Sequence, residues 1–279
     1  PGGLRDVQTT LWVCNRRYGT TNIDQLVTLG VLSTTEARWL KDGRRFLWWV
    51  RYGLHTLAGR KEDQLHFARQ RELSQRLGFM DTDSKSAVEL FMQHYYRHVM
   101  ALSDVNDIVL QHFQEDLTAK KRPSLERLND RFRLINLRID ITEPAVFLRN
   151  PSAMLEMFFL MAQREENIRV RVRTIRALRA AVHLIDDDFR CDPENCRLFL
   201  SILKSPYTVV TQLTLMRRYG VLGRYLPAFG DIVGQMQHDL FHIYTVDAHT
   251  MMVIRNMRRF RYEDALETFP IAHRCVKNI

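Results

Sequence analysis

The sequence predicts a mainly α-helical fold, with helical bundle regions and one small β-hairpin between them, and three observations predict it. Apolar residues recur at helical spacing through most of the chain. Residues 33–78 contain no Pro to interrupt such a pattern. Only one stretch, FRLINLRIDI at 132–141, alternates as a pair of strands does.

The elements follow in order. Val7, Leu11, Cys14 and Tyr18 form one apolar stripe, and Gly19 is placed to end that helix. Phe46, Leu47, Val50, Leu54 and Leu57 mark a long helical hairpin within 33–78, and Val88, Phe91, Met92, Tyr95, Val99 and Leu102 mark another long helix within 86–113. Residues 118–130, with their Lys-Lys-Arg-Pro run, read as a linker, so a boundary is expected near 130. The hairpin at 132–141 comes next. Ile168, Val172, Ile175, Leu178, Val182 and Ile185 then predict a single amphipathic helix over 168–185. Its opposite face carries Arg169, Arg173, Arg176 and Arg179, most economically a solvated face and alternatively a docking face for an acidic protein or nucleotide. Asp192-Pro193-Glu194 opens a further helix, Ser205-Pro206 ends it, and Gly220 closes one more that starts at Val209.

Composition narrows the function classes. A length of 279 residues exceeds the ~100–200 usual for one domain, so one large or two fused helical units are expected. With 46% apolar residues but no unbroken apolar run of ~18, and nothing resembling a signal peptide, no membrane span is expected and a cytoplasmic setting follows by default. Cys14, Cys191, Cys196 and Cys275 lack the paired spacing of a zinc site and read as reduced thiols. The net charge of +9 favours acidic partners, but no arginine-rich tail, RNP-type aromatic pattern or zinc-finger spacing argues for nucleic acid. Pro1 opens the chain in mid-motif without a Met and Ile279 ends it without a polar tail, so an interior piece of a longer protein is expected.

Three constellations carry candidate chemistry. Gly2-Gly3-Leu4-Arg5-Asp6 opens the first helix: glycines admit a phosphate close to the backbone, Arg5 neutralises it, and the Asp6 carboxylate holds or borders Mg²⁺. A plain turn with Asp6 as a helix cap explains the same residues. Within GQMQHDLFHIYTVDAHT at 234–250, His238, His242 and His249 lie close to Asp239 and Asp247. His238 and His242 have i, i+4 spacing, but Asp239 breaks the HExxH zinc pattern, and each His taken singly reads as a hydrogen-bonded core residue. His94 and His98, also i, i+4, read as helix-surface or interhelical histidines because Tyr95 stands where a metalloprotease needs Glu.

Taken together, PGGLRDVQTTLW at 1–12, the 132–141 hairpin and RRYGVLGRYLPAFGDIVGQMQHDLFHIYTVDAHT at 217–250 resemble the bacterial bifunctional uridylyltransferase and uridylyl-removing enzymes of the PII nitrogen-signalling protein. The resemblance implies residues 1–20 as the edge of a nucleotidyltransferase domain and 21–130 as its helical region. It also implies 131–246 as a hairpin-containing helical region leading onward, and 247–279 as the start of an HD-type helical hydrolase domain. Gly2, Gly3 and Arg5 become nucleotide-binding candidates, Asp6 a catalytic one, and His249 the first metal ligand of the hydrolase. His238-Asp239 spells the dyad letters but precedes that position, so it is not assigned the dyad role. UTP as substrate, Mg²⁺ or Mn²⁺ as cofactor, PII as partner and glutamine as effector are likewise implied. A helical regulatory module that docks an acidic protein, and a relative of the glutamine-synthetase adenylyltransferases, which share a GGLRD-like stretch, are the alternatives.

Overall fold

The computed structural model describes residues 2–118, 123–236 and 244–277. Five helices, α1 (Leu4–Tyr18), α2 (Ile23–Thr28), α3 (Thr34–Ala58), α4 (Phe67–Arg76) and α5 (Ala87–Thr118), build the first half around one core. Sequence signals set their ends. Gly19 closes α1 in the left-handed region at φ 72°. Ser33 and Glu36 exchange hydrogen bonds across the first turn of α3, Ser33 N donating to Glu36 Oε2 at 2.8 Å and Glu36 N to Ser33 Oγ at 3.2 Å. Leu40, Phe46, Leu47 and Val50 of α3 are buried in the same core as Phe91 and Leu102 of α5. The two helices approach so closely at Gly43 that a Cβ there would stand 2.7 Å from the Leu102 side chain.

The second half begins with a sheet. Strands β1 (Leu125–Arg127), β2 (Phe132–Ile135) and β3 (Arg138–Ile141) pair antiparallel in sequence order, and β4 (Arg169–Val170) adds parallel to β3. Phe132, Leu134, Ile139 and Ile141 are buried in the second core. Helices α6 (Val146–Arg149), α7 (Ala153–Ala162), α8 (Val172–Ala181), α9 (Asp187–Cys191), α10 (Pro193–Leu203), α11 (Val209–Arg218) and α12 (Val221–Tyr225) pack with it. Then come α13 (Pro227–Ile232), α14 (Val246–Arg259), α15 (Ala265–Thr268) and α16 (Pro270–Lys277). α5 serves both cores, giving Val105 and Val109 to the first and Ile108 to the second. Met236 returns to the first core from the far end of the chain.

Two expectations need correction. The stretch 118–130 holds strand β1, with Leu125 opposite Ile135, rather than linker alone. Residues 168–185 are not one helix. Ile168, Val170 and Val172 are buried in alternation around the short strand Arg169–Val170, and the helical stripe of Val172, Ile175 and Leu178 belongs to α8, which starts only at Val172. An i, i+4 step satisfies both a period of 2 and a period near 3.6, so Ile168 and Val172 fit either reading.

Candidate functional site

The glycines at the start are used differently from each other. Gly2, at φ +91°, lies where a Cβ would strike the Val99 backbone of α5, so it lets α1 begin hard against that helix. Gly3 is the N-cap of α1 and has open space where a Cβ would go. The Asp6 carboxylate turns back to accept from the Gly2 and Gly3 backbone amides, the latter at 3.1 Å. It thereby satisfies amides that the first turn leaves without helical partners, and its charge favours the positive helix end.

Gly3, Arg5 and Gln8 face a groove of about 560 Å³ between α1, α3 and the Tyr95 turn of α5. On its α3 side Arg51 grips Asp63 through Nε at 2.7 Å and Nη2 at 3.1 Å, and His55 Nε2 approaches the same carboxylate at 3.1 Å. Arg51 and then His55 hold the Asp63 carboxyl below its usual range. Arg5 is exposed, and among the described residues no carboxylate pairs with it. Of the four residues expected at this end, Gly3 and Arg5 therefore face one groove, Gly2 seats the helix and Asp6 caps it.

At the other end His249 lies exposed in the second turn of α14. The nearby Asp247 is fully buried. It accepts from Gly234 N at 3.0 Å and forms an ion pair with Arg217, while Val246 N donates to Gln235 O at 2.8 Å. Gln93 and Arg97 of α5 donate to Val233 O, so residues 231–236 are strapped between α5 and α14. His238, Asp239 and His242 lie outside the described residues.

These ends do not complete a site for Mg²⁺ or Mn²⁺ among the described residues. At the first, the Asp6 oxygen is committed to two amides; at the second, Asp247 is committed to Arg217 and Gly234, which leaves His249 alone. No three His, Cys, Asp or Glu side chains converge into a metal cage among the described residues.

The arginine face of 169–179 is where the structure departs furthest from the sequence. Arg173 and Arg133 converge on the fully buried Asp140, Arg173 Nη2 at 2.7 Å from Asp140 Oδ2. Arg176 reaches across to the first half, holding Glu36 Oε2 at 2.8 Å and Val31 O at 2.7 Å. Arg179 meets Asp104 of α5 at 2.6 Å, beside Arg218 on the same carboxylate. Burial pushes the Asp104 carboxyl up, against the pull of Arg218 and Arg179. Arg173, Arg176 and Arg179 are spent on internal carboxylates, so the solvated-face reading is overturned for these three and holds only for Arg169, which is exposed, and the docking face loses most of its charges. No sequence signal places Glu36 or Asp104 opposite them, because those partners lie 140 and 75 residues away.

Comparison with known proteins gives one answer along the chain. A family model described as GlnD PII-uridylyltransferase matches residues 1–110, and one described as Uridylyltransferase GlnD third domain matches residues 132–225. The chain is 49% identical over its whole length to the bifunctional uridylyltransferase/uridylyl-removing enzyme of Pseudomonas aeruginosa (strain LESB58), covering 31% of that protein. It is 52% identical over 99% of its length to the enzyme of the same description from Pseudomonas putida (strain GB-1), again covering 31% of it. The chain thus spans about a third of the length of the curated relatives it matches. No solved structure matches it. With both halves matched by domains of one kind of protein, and with such identity from end to end, the chain belongs to the family of bifunctional uridylyltransferase/uridylyl-removing enzymes.

Proposed function

We propose that the protein to which this chain belongs transfers UMP from UTP to the PII signalling protein and hydrolyses that UMP off again, with glutamine setting the balance. The observation that carries the proposal is the 49% identity held along all of the chain to a bifunctional uridylyltransferase/uridylyl-removing enzyme. Transfer is displacement at the α-phosphorus of UTP with loss of pyrophosphate; removal is hydrolysis of the resulting phosphodiester. At the first end, Arg5 in the groove neutralises a phosphate, and Gly3 leaves the backbone open beside it. The catalytic part expected of Asp6 becomes a positioning one, since its carboxylate shapes the backbone that carries Gly3 and Arg5. At the second end, His249 supplies one nitrogen donor of the hydrolase, and Asp247 fixes the start of the helix that presents it. Mg²⁺ or Mn²⁺ is the proposed ion, but the described residues do not make its site and no step is derived through it. A reducing, cytoplasmic setting suits the four free cysteines, and no helix among the described residues is long and apolar enough to cross a membrane.

The test is His249→Ala in the full-length protein, assayed in both directions. The expected result is loss of UMP removal with transfer retained. Equal loss of both, in a protein that remains folded, would sink the assignment.

A further inference from the structure

The histidine pair on α5 has a geometry that neither end of the chain requires. His94 and His98 sit one turn apart, and their Nε2 atoms face each other at 3.0 Å. Both rings rest on one aromatic wall. His98 stacks on Phe46 of α3 with centroids 4.7 Å apart at 23°, and His94 meets the same ring edge-on at 4.8 Å and 71°. Phe79 also packs against His94, tilted at 59° with centroids 5.9 Å apart. The rings are thus held by packing, not only by their contact with each other, and His94 remains exposed to solvent.

We propose that His94 and His98 form a two-histidine site for a divalent transition-metal ion on the surface of α5. Imidazole nitrogens bind such ions at about 2.0–2.1 Å, so two nitrogens 3.0 Å apart subtend roughly 91–97° at a shared ion. That is the cis angle of an octahedral or square-planar ion, which suits Ni²⁺ or Cu²⁺; a tetrahedral Zn²⁺ needs the pair to open by only about 0.3 Å. Two protein ligands leave the other positions to water, in keeping with the absence of any group of three ligating side chains among the described residues. Each ring must present an unprotonated Nε2. Burial, chiefly, holds both imidazoles below their usual pKa, with Arg97 adding to this at His94 and His94 at His98; Asp42 of α3 pulls His98 the other way. In the neutral pair, the one proton between the two Nε2 atoms moves to Nδ1 of its own ring as the ion takes its place, so binding releases no net proton. His249 lies on a separate helix, so this site is distinct from the proposed hydrolase ligand.

The test is calorimetric titration of NiCl₂ into the chain carrying His238→Ala, His242→Ala and His249→Ala, which removes the other histidines whose spacing or family position suits a metal. One equivalent is expected to bind. His94→Ala and His98→Ala should each weaken that binding at least tenfold, while His112→Ala, on the same helix beside Asp116, should leave it within twofold. Where an alanine variant loses its helical circular dichroism, His94→Asn and His98→Asn replace it, since Asn removes Nε2 but keeps a planar polar group against Phe46. A Cu²⁺ paramagnetic resonance spectrum of the same triple-alanine chain should show two nitrogen couplings. Binding that survives in both pair variants, or that falls equally in His112→Ala, or a spectrum without two nitrogens, would overturn the proposal.

Discussion

Asp6 shows how one carboxylate can fit two accounts. Its sequence position, just after a Gly-Gly turn, suits both a catalytic group and a helix cap, and the structure gives it two backbone amides to accept from. The two accounts separate on Asn, which keeps an acceptor oxygen but loses the charge. Asp6→Ala should cost about 1 kcal/mol of stability, measured by urea unfolding. In the full-length protein Asp6→Asn should keep most of the transfer rate that Asp6→Ala loses; a rate equally low in both variants would return Asp6 to the chemistry. Cys14 makes a second prediction at this scale. Fully buried on α1, its thiol is pushed up to about 11 by desolvation. At pH 8 an alkylating reagent should modify the exposed Cys191 and Cys275 in the folded chain and leave Cys14 untouched. Because the folded state holds this proton more tightly than the unfolded chain, its contribution to stability is complete below about pH 9 and declines as the pH rises through about 11. Cys14→Ala should therefore flatten part of the fall in melting temperature between those values.

At the scale of elements, legibility followed whether the signal was local. The ends of α1 and α3 and the hairpin at 132–141 are written in adjacent residues, and they stand where capping and alternation put them. Strands β1 and β4 are not. Leu125–Arg127 has all three residues exposed and is a strand only because β2 offers an edge, and Arg169–Val170 is one only because β3 does. The hairpin carries its own weak point. Asn136 and Leu137 turn with φ of 52° and 57°, a two-residue loop with both central residues left-handed, and Leu is poorly suited to that region. Leu137 is also exposed, so no packing compensates. Leu137→Gly should raise stability by about 0.5–1 kcal/mol by denaturant unfolding, and an equal loss would mean that the leucine packs after all.

For the whole molecule, the arginines of α8 join what periodicity could only lay out as separate helices. The sequence showed a basic face; that it is internal depends on Glu36, Asp104 and Asp140, whose approach only the folded chain creates. The same holds at the candidate site. Arg5 and His249 were readable as residue types in a family pattern, but the groove beside Arg5 depends on α3 and α5 arriving next to α1. Arg176 is the clearest link between the halves. It binds Glu36, only 2% exposed and already engaged at the start of α3, and it also satisfies the carbonyls of Gly30 and Val31. Its loss leaves a buried carboxylate without its counter-charge, a change that costs about 3–5 kcal/mol. Asp140, by contrast, has its arginine partners on its own sheet and on α8, within the second half. Arg176→Met should therefore lower the melting of the first half and separate calorimetric unfolding into two transitions, whereas Arg173→Met should destabilise without separating them. A single transition in Arg176→Met with an unchanged midpoint would show that the shared helix α5, and not this ion pair, holds the two cores together.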